Sequence, residues 1–283
     1  MTIKQRFSHL VGKLSPRLFF SIAYFHNRGR WPNLNKPSDI SEIAIKRVLD
    51  GKIDELSYLA DKYAVRKYVE DAGLANILTP LISVYNSAEE IDFANLPNRF
   101  ALKLNFGAGM NIICTDKTQL DIPAAKTKLQ HWLNLPQTYS FSERHYNLIP
   151  HKIVCEEFID DGNGGFPFDY KFMCIKGHPV CVLACCDRGE TSATHYAPYD
   201  LEWNLLPQYD KLGRAKPIPR PKNLEEMIGI ASRLSKDIDF VRIDLYSNGS
   251  RVWFGEITLT PAGCIFHGWT MQALKELGDS YNK

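Results

Sequence analysis

The chain has 283 residues, which is enough to bury one large α/β core or two to three subdomains that share an active site. Its 34 lysine and arginine residues and 32 aspartate and glutamate residues leave a net charge of +2. This small net charge gives no support for nucleic-acid binding, and it favours a small molecule or a glycan as the substrate.

The N-terminal segment, residues 1–41, is basic and amphipathic, and Pro16 interrupts its pattern. Such a pattern is typical of a helix pair that lies on a membrane surface or docks on a partner. It is equally typical of two ordinary helices that cover the fold, so both interpretations remain open. The residues concerned are the cations Lys4, Arg6, Lys13, Arg17, Arg28 and Arg30 and the apolar Phe7, Leu10, Val11, Leu14, Leu18, Phe19, Phe20, Ile22 and Phe25.

Two kinds of pattern follow this segment. Apolar residues at three-to-four spacing predict helices, and short β-rich runs between turn residues predict strands. The predicted helices are Ser38–Leu49, Lys52–Tyr58, Ala64–Ala72 and Leu224–Lys236. The predicted strands are Leu81–Tyr85, Phe100–Leu104, Ile112–Thr115, Ile153–Glu157, Tyr170–Ile175, Pro179–Cys186, Phe240–Tyr246 and Arg251–Ile257.

Turn residues link the late strands into hairpins, at Lys176–Gly177 and at Asn248–Gly249. The predicted fold class is therefore α/β, in the mixed α+β sense, with a largely antiparallel sheet late in the chain.

The seven cysteines show no CxxC spacing of the kind that builds a zinc site. Most of them lie in apolar runs, which favours buried free thiols in a reducing compartment over disulfides. The first fourteen residues lack the apolar core of a signal peptide, and no stretch reaches the ~20 apolar residues of a membrane span. Together these features predict a cytoplasmic protein.

The strongest chemical signal is the last hairpin. Arg242 and Asp244 share one face of its first strand, and Glu256 and Thr258 share one face of its second strand. If the faces coincide, Asp244 and Glu256 meet as two carboxylates among apolar neighbours, an arrangement that suits divalent cations. Arg242 beside them suits an anionic group. The alternative is an ion pair between Arg242 and Glu256 on a solvated face.

A second signal is a strand that delivers Lys103 into the glycine-rich turn Asn105–Gly109. Ammonium and backbone N–H groups in such a turn can surround phosphate oxygens. The spacing is not that of a P-loop, and a lone turn of this kind also joins ordinary hairpin strands.

A third signal is a strand that ends in Glu156 and Glu157 and is followed by a glycine-rich stretch and Asp169. This segment could be a hinge that presents Glu156 and the following backbone to an adenine, with Asp169 on ribose hydroxyls. It could equally be an acidic strand end before a flexible loop.

A polar stretch after the Cys185–Cys186 strand could cover an acceptor substrate. Its residues could equally belong to a surface loop with one anchoring tryptophan. They are Arg188, His195, Tyr199, Asp200 and Trp203.

The order of these pieces resembles the ATP-grasp ligases from end to end. Five segments look more narrowly like the TupA-like subgroup, which is associated with bacterial surface-polysaccharide biosynthesis. The resemblance covers about residues 42 to 263, and the combination of motifs is specific. The segments are Asp61–Arg66, Lys103–Met110, Asp169–Lys171, His195–Asn204 and Gly255–Pro261.

For the fold, the resemblance implies an ATP-grasp architecture that binds the nucleotide between two α+β subdomains. After the basic segment 1–41, it implies a helical, substrate-side subdomain at 42–98 and a lid subdomain at 99–158. A C-terminal subdomain for metal and nucleotide follows at 159–283.

For the site, the resemblance implies ATP and Mg²⁺ as cofactors and a role for each matching residue. Lys62 and Lys103 would hold the α- and β-phosphates under a lid at Gly107 and Gly109. The adenine would meet Glu156, Glu157 and the backbone near Phe158 and Ile159, and the ribose would meet Asp169. The catalytic set would be Lys171, Arg242 and Arg188, and the metal ligands would be Asp244, Glu256 and Thr258.

The sequence departs from the family pattern at two positions. Thr258 stands where most ATP-grasp enzymes carry an asparagine ligand, which leaves its metal role open. Phe106 stands where a histidine is expected in the subgroup, so the chemistry of the lid is open as well.

The function implied by the resemblance is an ATP-dependent carboxylate-amine ligase. A carboxylate attacks the γ-phosphate to form an acyl phosphate, and an amine then attacks the acyl group to give an amide. The expected partners are an amino acid and a uronic-acid glycan of a capsule, O-antigen or teichuronic type, or its precursor. The alternatives are a glycosyltransferase and a non-catalytic, membrane-docked partner of a polysaccharide synthesis complex.

Overall fold

The computed structural model describes residues 11–12, 14–135, 141–162, 165–186 and 195–283. Within them the helices are α1 (Pro16–Arg28), α2 (Ile40–Leu49), α3 (Val65–Asp71), α4 (Ile122–Leu133), α5 (Leu224–Ser235) and α6 (Met271–Asn282). The strands are β1 (Leu81–Tyr85), β2 (Phe100–Leu104), β3 (Asn111–Cys114), β4 (Ile153–Glu157), β5 (Phe168–Ile175), β6 (His178–Cys186), β7 (His195–Tyr199), β8 (Phe240–Ser247) and β9 (Val252–Thr258).

Short 3₁₀ helices fill several of the connections. They lie at Asp54–Ala60, Ala75–Ile77, Ala88–Glu90, Lys117–Gln119, Phe141–Leu148, Pro207–Tyr209 and Pro261–Cys264. The first of these occupies the place of the helix predicted at Lys52–Tyr58, so the periodic pattern was placed correctly but the helix is of the tighter type.

The strands form two antiparallel sheets, which confirms the mixed α/β class with an antiparallel sheet late in the chain. The four-stranded sheet has the order β1-β4-β2-β3, and the five-stranded sheet has the order β7-β6-β5-β8-β9. β1 lies in the region expected to be a separate helical subdomain, yet it pairs with β4. The division of the chain into subdomains remains a prediction.

Both hairpin turns lie where the sequence predicts them. Lys176 and Gly177 adopt positive φ angles of 50° and 80° between β5 and β6. A Cβ on Gly177 would lie only 2.9 Å from the carbonyl oxygen of Lys236, so the close approach of the chain there requires glycine. At the second turn, the Asn248 side chain accepts hydrogen bonds from the backbone N–H groups of Ser250 and Arg251.

α1 covers the fold with one of its faces. The Ser15 hydroxyl accepts a hydrogen bond from the N–H of Leu18 at the start of the helix, and Gly29, with φ 71°, ends it. Phe20 and Tyr24 are fully buried in the main core, and the Tyr24 hydroxyl donates to Asp39 over 2.6 Å. The described part of the segment is therefore an integral part of the fold. In the described ranges no helix is long and apolar enough to cross a bilayer.

α5 packs on one face of the five-stranded sheet through buried aliphatic residues such as Met227, Ala231 and Leu234. The opposite face of β5, β8 and β9 looks towards β2 and β4 of the other sheet. The two sheets therefore enclose a cleft between them, which is lined from both sides.

Candidate active site

The cleft contains a cavity of about 240 Å³ that is lined mainly by charged side chains. Five of the lining residues are cations and four are carboxylates. The cations are Lys62, Arg66, Lys103, Lys171 and Arg242, and the carboxylates are Glu156, Asp169, Asp244 and Glu256. Ten of the predicted site residues thus meet in one place, namely these charged residues without Arg66 together with Gly107 and Gly109, although they are spread over almost two hundred positions.

The β8–β9 hairpin brings the two expected metal ligands face to face. In its register Arg242 lies opposite Thr258, and Asp244 lies opposite Glu256, so the polar faces of the two strands coincide. The register shifts between Asp244 and Leu245, where the second strand contains one extra residue, Gly255. A Cβ on Gly255 would lie 2.8 Å from the Asp244 carbonyl oxygen. The bulge that pairs the carboxylates therefore depends on glycine.

Two cationic side chains, Arg242 and Lys171, form hydrogen bonds to the Asp244 carboxylate. Arg242 donates to it from Nε and Nη2, each over 2.6 Å, and Lys171 Nζ lies 2.6 Å from its Oδ2 atom. Burial alone would raise the pKa of Asp244, but these two positive charges lower it below the usual aspartate range. Lys171 also pairs with Asp169 over 2.8 Å. Burial would lower the pKa of Lys171, but the two carboxylates raise it above its ordinary value.

Arg242 also contacts Glu256, over 3.1 Å, so the ion pair considered as the alternative interpretation is present. The alternative interpretation put this ion pair on a solvated face. In the structure the face lines a cavity, and Asp244 and Asp169 beside the pair are almost completely buried. The Thr258 hydroxyl donates to Glu256 Oε1 over 2.8 Å. Thr258 is therefore placed to orient the Glu256 carboxylate.

The opposite wall is formed by the four-stranded sheet. Lys103 on β2 reaches across to Glu156 on β4, with 2.8 Å between Nζ and Oε2. Arg66 from α3 lies 3.0 Å from the other oxygen of the same carboxylate and donates to the Thr79 carbonyl. Burial would lower the pKa of Lys103, but Glu156 and other nearby groups raise it overall. Glu156 thus joins the charged cavity, and its predicted contact with adenine remains a prediction.

Lys62 is placed by the start of α3. Asp61 accepts hydrogen bonds from the N–H groups of Tyr63 and Ala64, and the Lys62 N–H donates to the Asn105 carbonyl. The ammonium group of Lys62 donates to the carbonyl oxygen of Gly107 over 2.7 Å. Within the described part of the chain it forms no salt bridge with a carboxylate. Burial is the main reason that its pKa is lowered, and repulsion by Lys103 adds to this effect.

The glycine-rich loop is anchored at both ends. Asn105 donates to the Pro150 carbonyl and accepts from the Lys152 N–H, while Gly107 and Gly109 have positive φ angles of 67° and 73°. Phe106 is fully buried and stacks on His151 with ring centroids 3.7 Å apart. Phe106, which stands where a histidine is expected, therefore anchors the loop in the core, and the tip of the loop faces the cavity.

An apolar recess of about 220 Å³ adjoins the charged cavity. Its lining includes Ala101, Ile113, Phe158, Phe166 and Pro167. Glu157 and Ile159, expected near adenine, lie in the same wall, whereas Lys103 and Tyr246 are shared with the charged cavity. A flat apolar ring in this recess would therefore have its polar substituents beside the cations.

Sequence reasoning missed Tyr246, which lines both cavities. The available signal is strand alternation, because Tyr246 follows Asp244 by two positions on β8. In the polar stretch after β6, Arg188 lies outside the described residues. Tyr199 and Trp203 are stacked 4.1 Å apart and both donate to the Ile218 carbonyl, so these two residues anchor the Pro-rich loop.

The donor set fits Mg²⁺ better than a metal that needs a full protein cage. Two carboxylates face each other beside cations that could hold phosphate oxygens. Mg²⁺ commonly binds through one or two carboxylates and completes its shell with phosphates and water. A cluster of three or more His, Cys, Asp or Glu ligands does not occur in the ranges that the structure describes.

The family model described as TupA-like ATPgrasp matches residues 42–282. The comparison with curated proteins found no match.

Solved structures with a similar chain path include D-alanine–D-alanine ligase from Bacillus anthracis, at 14% identity and a TM-score of 0.48, covering 78% of this chain and 62% of that one. N5-carboxyaminoimidazole ribonucleotide synthetase in its ADP complex shows 11% identity and a TM-score of 0.46, over 79% and 53%. D-cycloserine synthetase shows 10% identity and a TM-score of 0.42, over 80% and 71%. The chain thus spans about three fifths of the D-alanine–D-alanine ligase.

Proposed function

Because the chain belongs to the TupA-like ATP-grasp family, we propose that it is an ATP- and magnesium-dependent ligase that joins a carboxylate to an amine. One observation carries the proposal: five cations and two facing carboxylates meet in a cavity beside an apolar recess. Cations and a metal-binding pair are what the transfer of a γ-phosphoryl group needs, since catalysis there consists mostly of positioning and charge stabilisation.

In the proposed complex the adenine occupies the apolar recess that is lined by Phe158 and Phe166. The phosphates then extend past Tyr246 into the charged cavity, where Lys62 and Lys103 take the α- and β-phosphates beneath the Gly107–Gly109 loop. Asp169 is fully buried and paired with Lys171, which favours a role in positioning that lysine over the ribose contact implied by the resemblance.

Asp244 and Glu256 would hold Mg²⁺, with Thr258 orienting Glu256. When bound, the metal would neutralise phosphate charge and polarise the γ-phosphoryl group. Lys171 and Arg242 would stabilise the remaining negative charge, because both lie on Asp244 and can turn from it to a phosphate. Their raised pKa values keep both groups charged at neutral pH.

The proposed reaction has two steps. A carboxylate oxygen attacks the γ-phosphorus, a new O–P bond forms, and the bond to the β-phosphate oxygen breaks to release ADP. An amine nitrogen then attacks the acyl carbon, phosphate leaves, and the amine loses its proton. No serine, cysteine or histidine occurs among the described residues that line the cavity, so they contain no Ser–His or Cys–His pair for covalent catalysis.

For the substrates we infer a uronic acid of a capsule, O-antigen or teichuronic-type glycan, or its precursor, and an amino acid. The support is the association of the TupA-like family with surface polysaccharides. We expect the enzyme to act in the cytoplasm, where ATP is available. A lipid-linked glycan or a polysaccharide synthesis complex would bring it to the inner face of the plasma membrane.

A screen of uronic acids against amino acids tests the proposal. The products should be an amide, ADP and phosphate, and hydroxylamine in place of the amine should trap the acyl phosphate as a hydroxamate. Release of AMP and pyrophosphate would contradict the acyl phosphate and indicate adenylation. A protein that binds no ATP in the presence of magnesium would contradict the proposal at its first step.

A further inference from the structure

The outer face of α1 carries an apolar stripe that nothing in the described part of the chain covers. We call Leu14, Leu18, Ile22, Phe25 and Trp31 the outer stripe. Leu14 is 79% exposed and Trp31 is 58% exposed, and the remaining three are between 42% and 47% exposed. Leu18, Ile22 and Phe25 recur at helical spacing, so they project on one side of α1, and Leu14 lies just before the N-cap of the helix.

The stripe is held in place rigidly from below. Phe20 and Tyr24, on the opposite side of α1, are fully buried. Arg28 donates to the carbonyl oxygens of Ile265, Phe266 and Trp269 over 2.6–2.8 Å. The helix therefore cannot turn its apolar outer face inwards without losing core packing. Phe25 and Trp31 also stack on each other with ring centroids 4.7 Å apart, which joins the end of the helix to the following loop.

The sequence of the N-terminal segment is basic, and among its described cations Arg30 is paired with Asp39 and Glu42. Seven of the 34 lysine and arginine residues lie in residues 1–38, and none of the 32 aspartate and glutamate residues do. The rest of the chain therefore has a net negative charge. Arg17 and Lys36 are exposed, and Lys211 lies against the C-terminal end of α1, 3.2 Å from the Asn27 carbonyl.

We propose that the outer stripe, with the described cations Arg17, Lys36 and Lys211, docks this protein onto an anionic lipid bilayer, with α1 lying in the plane of the interface. Apolar burial and attraction to anionic headgroups act together in such helices. An aromatic pair at one end of the stripe fits the interfacial region, where tryptophan is favoured. A protein partner would need complementary acids, whereas an anionic leaflet supplies negative charge over the whole face.

This docking requires no turnover, so it stands or fails independently of the proposed reaction. If both hold, the enzyme would act on glycans that are carried on membrane lipid. Removing the whole segment is not a clean test, because Phe20 and Tyr24 belong to the core. Substitutions on the exposed face are preferable.

The experiment uses the full chain and sucrose-loaded vesicles of phosphatidylcholine, alone or mixed equally with phosphatidylglycerol. The wild type should sediment with the anionic vesicles and much less with the neutral ones. Leu18→Ser with Ile22→Ser should lower the partition coefficient by about tenfold or more, because two aliphatic side chains no longer enter the lipid. Higher salt should also lower it, because screening weakens attraction to the headgroups.

Two variants make the result decisive. Leu148→Ser removes another exposed leucine and should bind like the wild type. Trp31 lies beyond the end of α1, so Trp31→Ser does not change the helix and tests the stripe even if the double variant unfolds. Failure of the wild type to bind anionic vesicles, or equal binding by the stripe variants, would overturn the proposal. A wild-type dimer that the stripe variants convert to a monomer, without vesicle binding, would overturn it in favour of a second copy of the chain.

Discussion

Replacing Lys62 with methionine should raise the dissociation constant for ATP by about 10- to 100-fold while leaving the fold intact. A charge-assisted hydrogen bond is worth about 1.5–3 kcal/mol, and each 1.4 kcal/mol corresponds to a factor of ten. Lys62 suits this test because its ammonium group donates to the Gly107 carbonyl and forms no salt bridge in the described ranges. Its removal therefore leaves no buried carboxylate without a partner, unlike the removal of Lys103 from Glu156.

The pH dependence gives a second measure of the same residue. The pKa of Lys62 is lowered, chiefly by burial, so the group loses its proton at a lower pH than an ordinary lysine. ATP affinity should therefore fall as pH rises through this pKa, and Lys62→Arg should shift that fall to higher pH because arginine keeps its charge.

Isothermal titration calorimetry at several pH values would measure both effects. The control is Lys67→Met, since Lys67 lies just beyond Lys62 in sequence, is exposed and pairs only with Asp71 among described residues. The thermal midpoint of each variant checks the fold. Unchanged ATP affinity in a folded Lys62→Met protein would refute the assignment of Lys62 to the phosphates, and so would an equal loss in Lys67→Met.

Three further predictions concern the metal pair, the bulge and the thiols. Asp244→Asn and Glu256→Gln should each abolish magnesium-dependent turnover in a folded protein, because neutral amides bind magnesium poorly. Thr258→Ala should lower the turnover rate less. Near-normal rates in both amide variants would contradict the metal assignment. Gly255→Ala should lower both the thermal midpoint and the turnover rate, because its Cβ would lie 2.8 Å from the Asp244 carbonyl oxygen. If scanning calorimetry and a rate assay found both quantities unchanged, the role of the bulge would be contradicted. Five cysteines should react slowly with a thiol reagent at pH 8 until the protein is denatured, because burial raises their pKa values, to about 12 for Cys174 and Cys264 for example. They are Cys114, Cys155, Cys174, Cys181 and Cys264, and fast labelling of these five in the native protein would contradict this.

Local patterns were sufficient for most strands. β1, β2 and β4 have the predicted bounds, because apolar runs between turn residues leave little choice of register. The facing of Asp244 and Glu256 was predicted, but alternation alone does not produce it: Ser247 pairs with Val252 across a four-residue turn, and the bulge at Gly255 then brings the two carboxylates opposite each other. β7 was missed because His195–Tyr199 follows a polar stretch and contains a proline, and proline fits here because β7 is an edge strand.

The predictions also missed α4 and α6, although their caps were available as signals. Asp121 accepts a hydrogen bond from the Ala124 N–H with Pro123 in the first turn, and Thr270 caps α6 in the same way. As predicted, the seven cysteines are thiols and not disulfides, and all but Cys186 are buried.

The contacts that convert separate motifs into one cavity could not be predicted from local pattern. Lys171 meets Asp244 across β5 and β8, which are more than sixty positions apart in sequence, and this register depends on packing of the whole sheet. Arg66 reaches Glu156 only because α3 lies over the four-stranded sheet. The spacing of residues within a short motif carries no information on such long-range pairs. The sequence therefore indicated which charged residues belong to the site but not which of them are in contact.

In the proposed complex, the charged cavity would act as an ion exchanger. Each of its four carboxylates lies near a cation, and the bonds to Glu156 and Asp244 would have to loosen before the cations could turn to phosphate. Free ATP alone would leave those carboxylates without a positive partner, and a divalent ion alone would leave the cations without a negative one. If both entered together, carboxylates would hold the metal and the cations would hold the phosphates, so each would lower the cost of binding the other. This thermodynamic linkage would select the metal–nucleotide complex over either component.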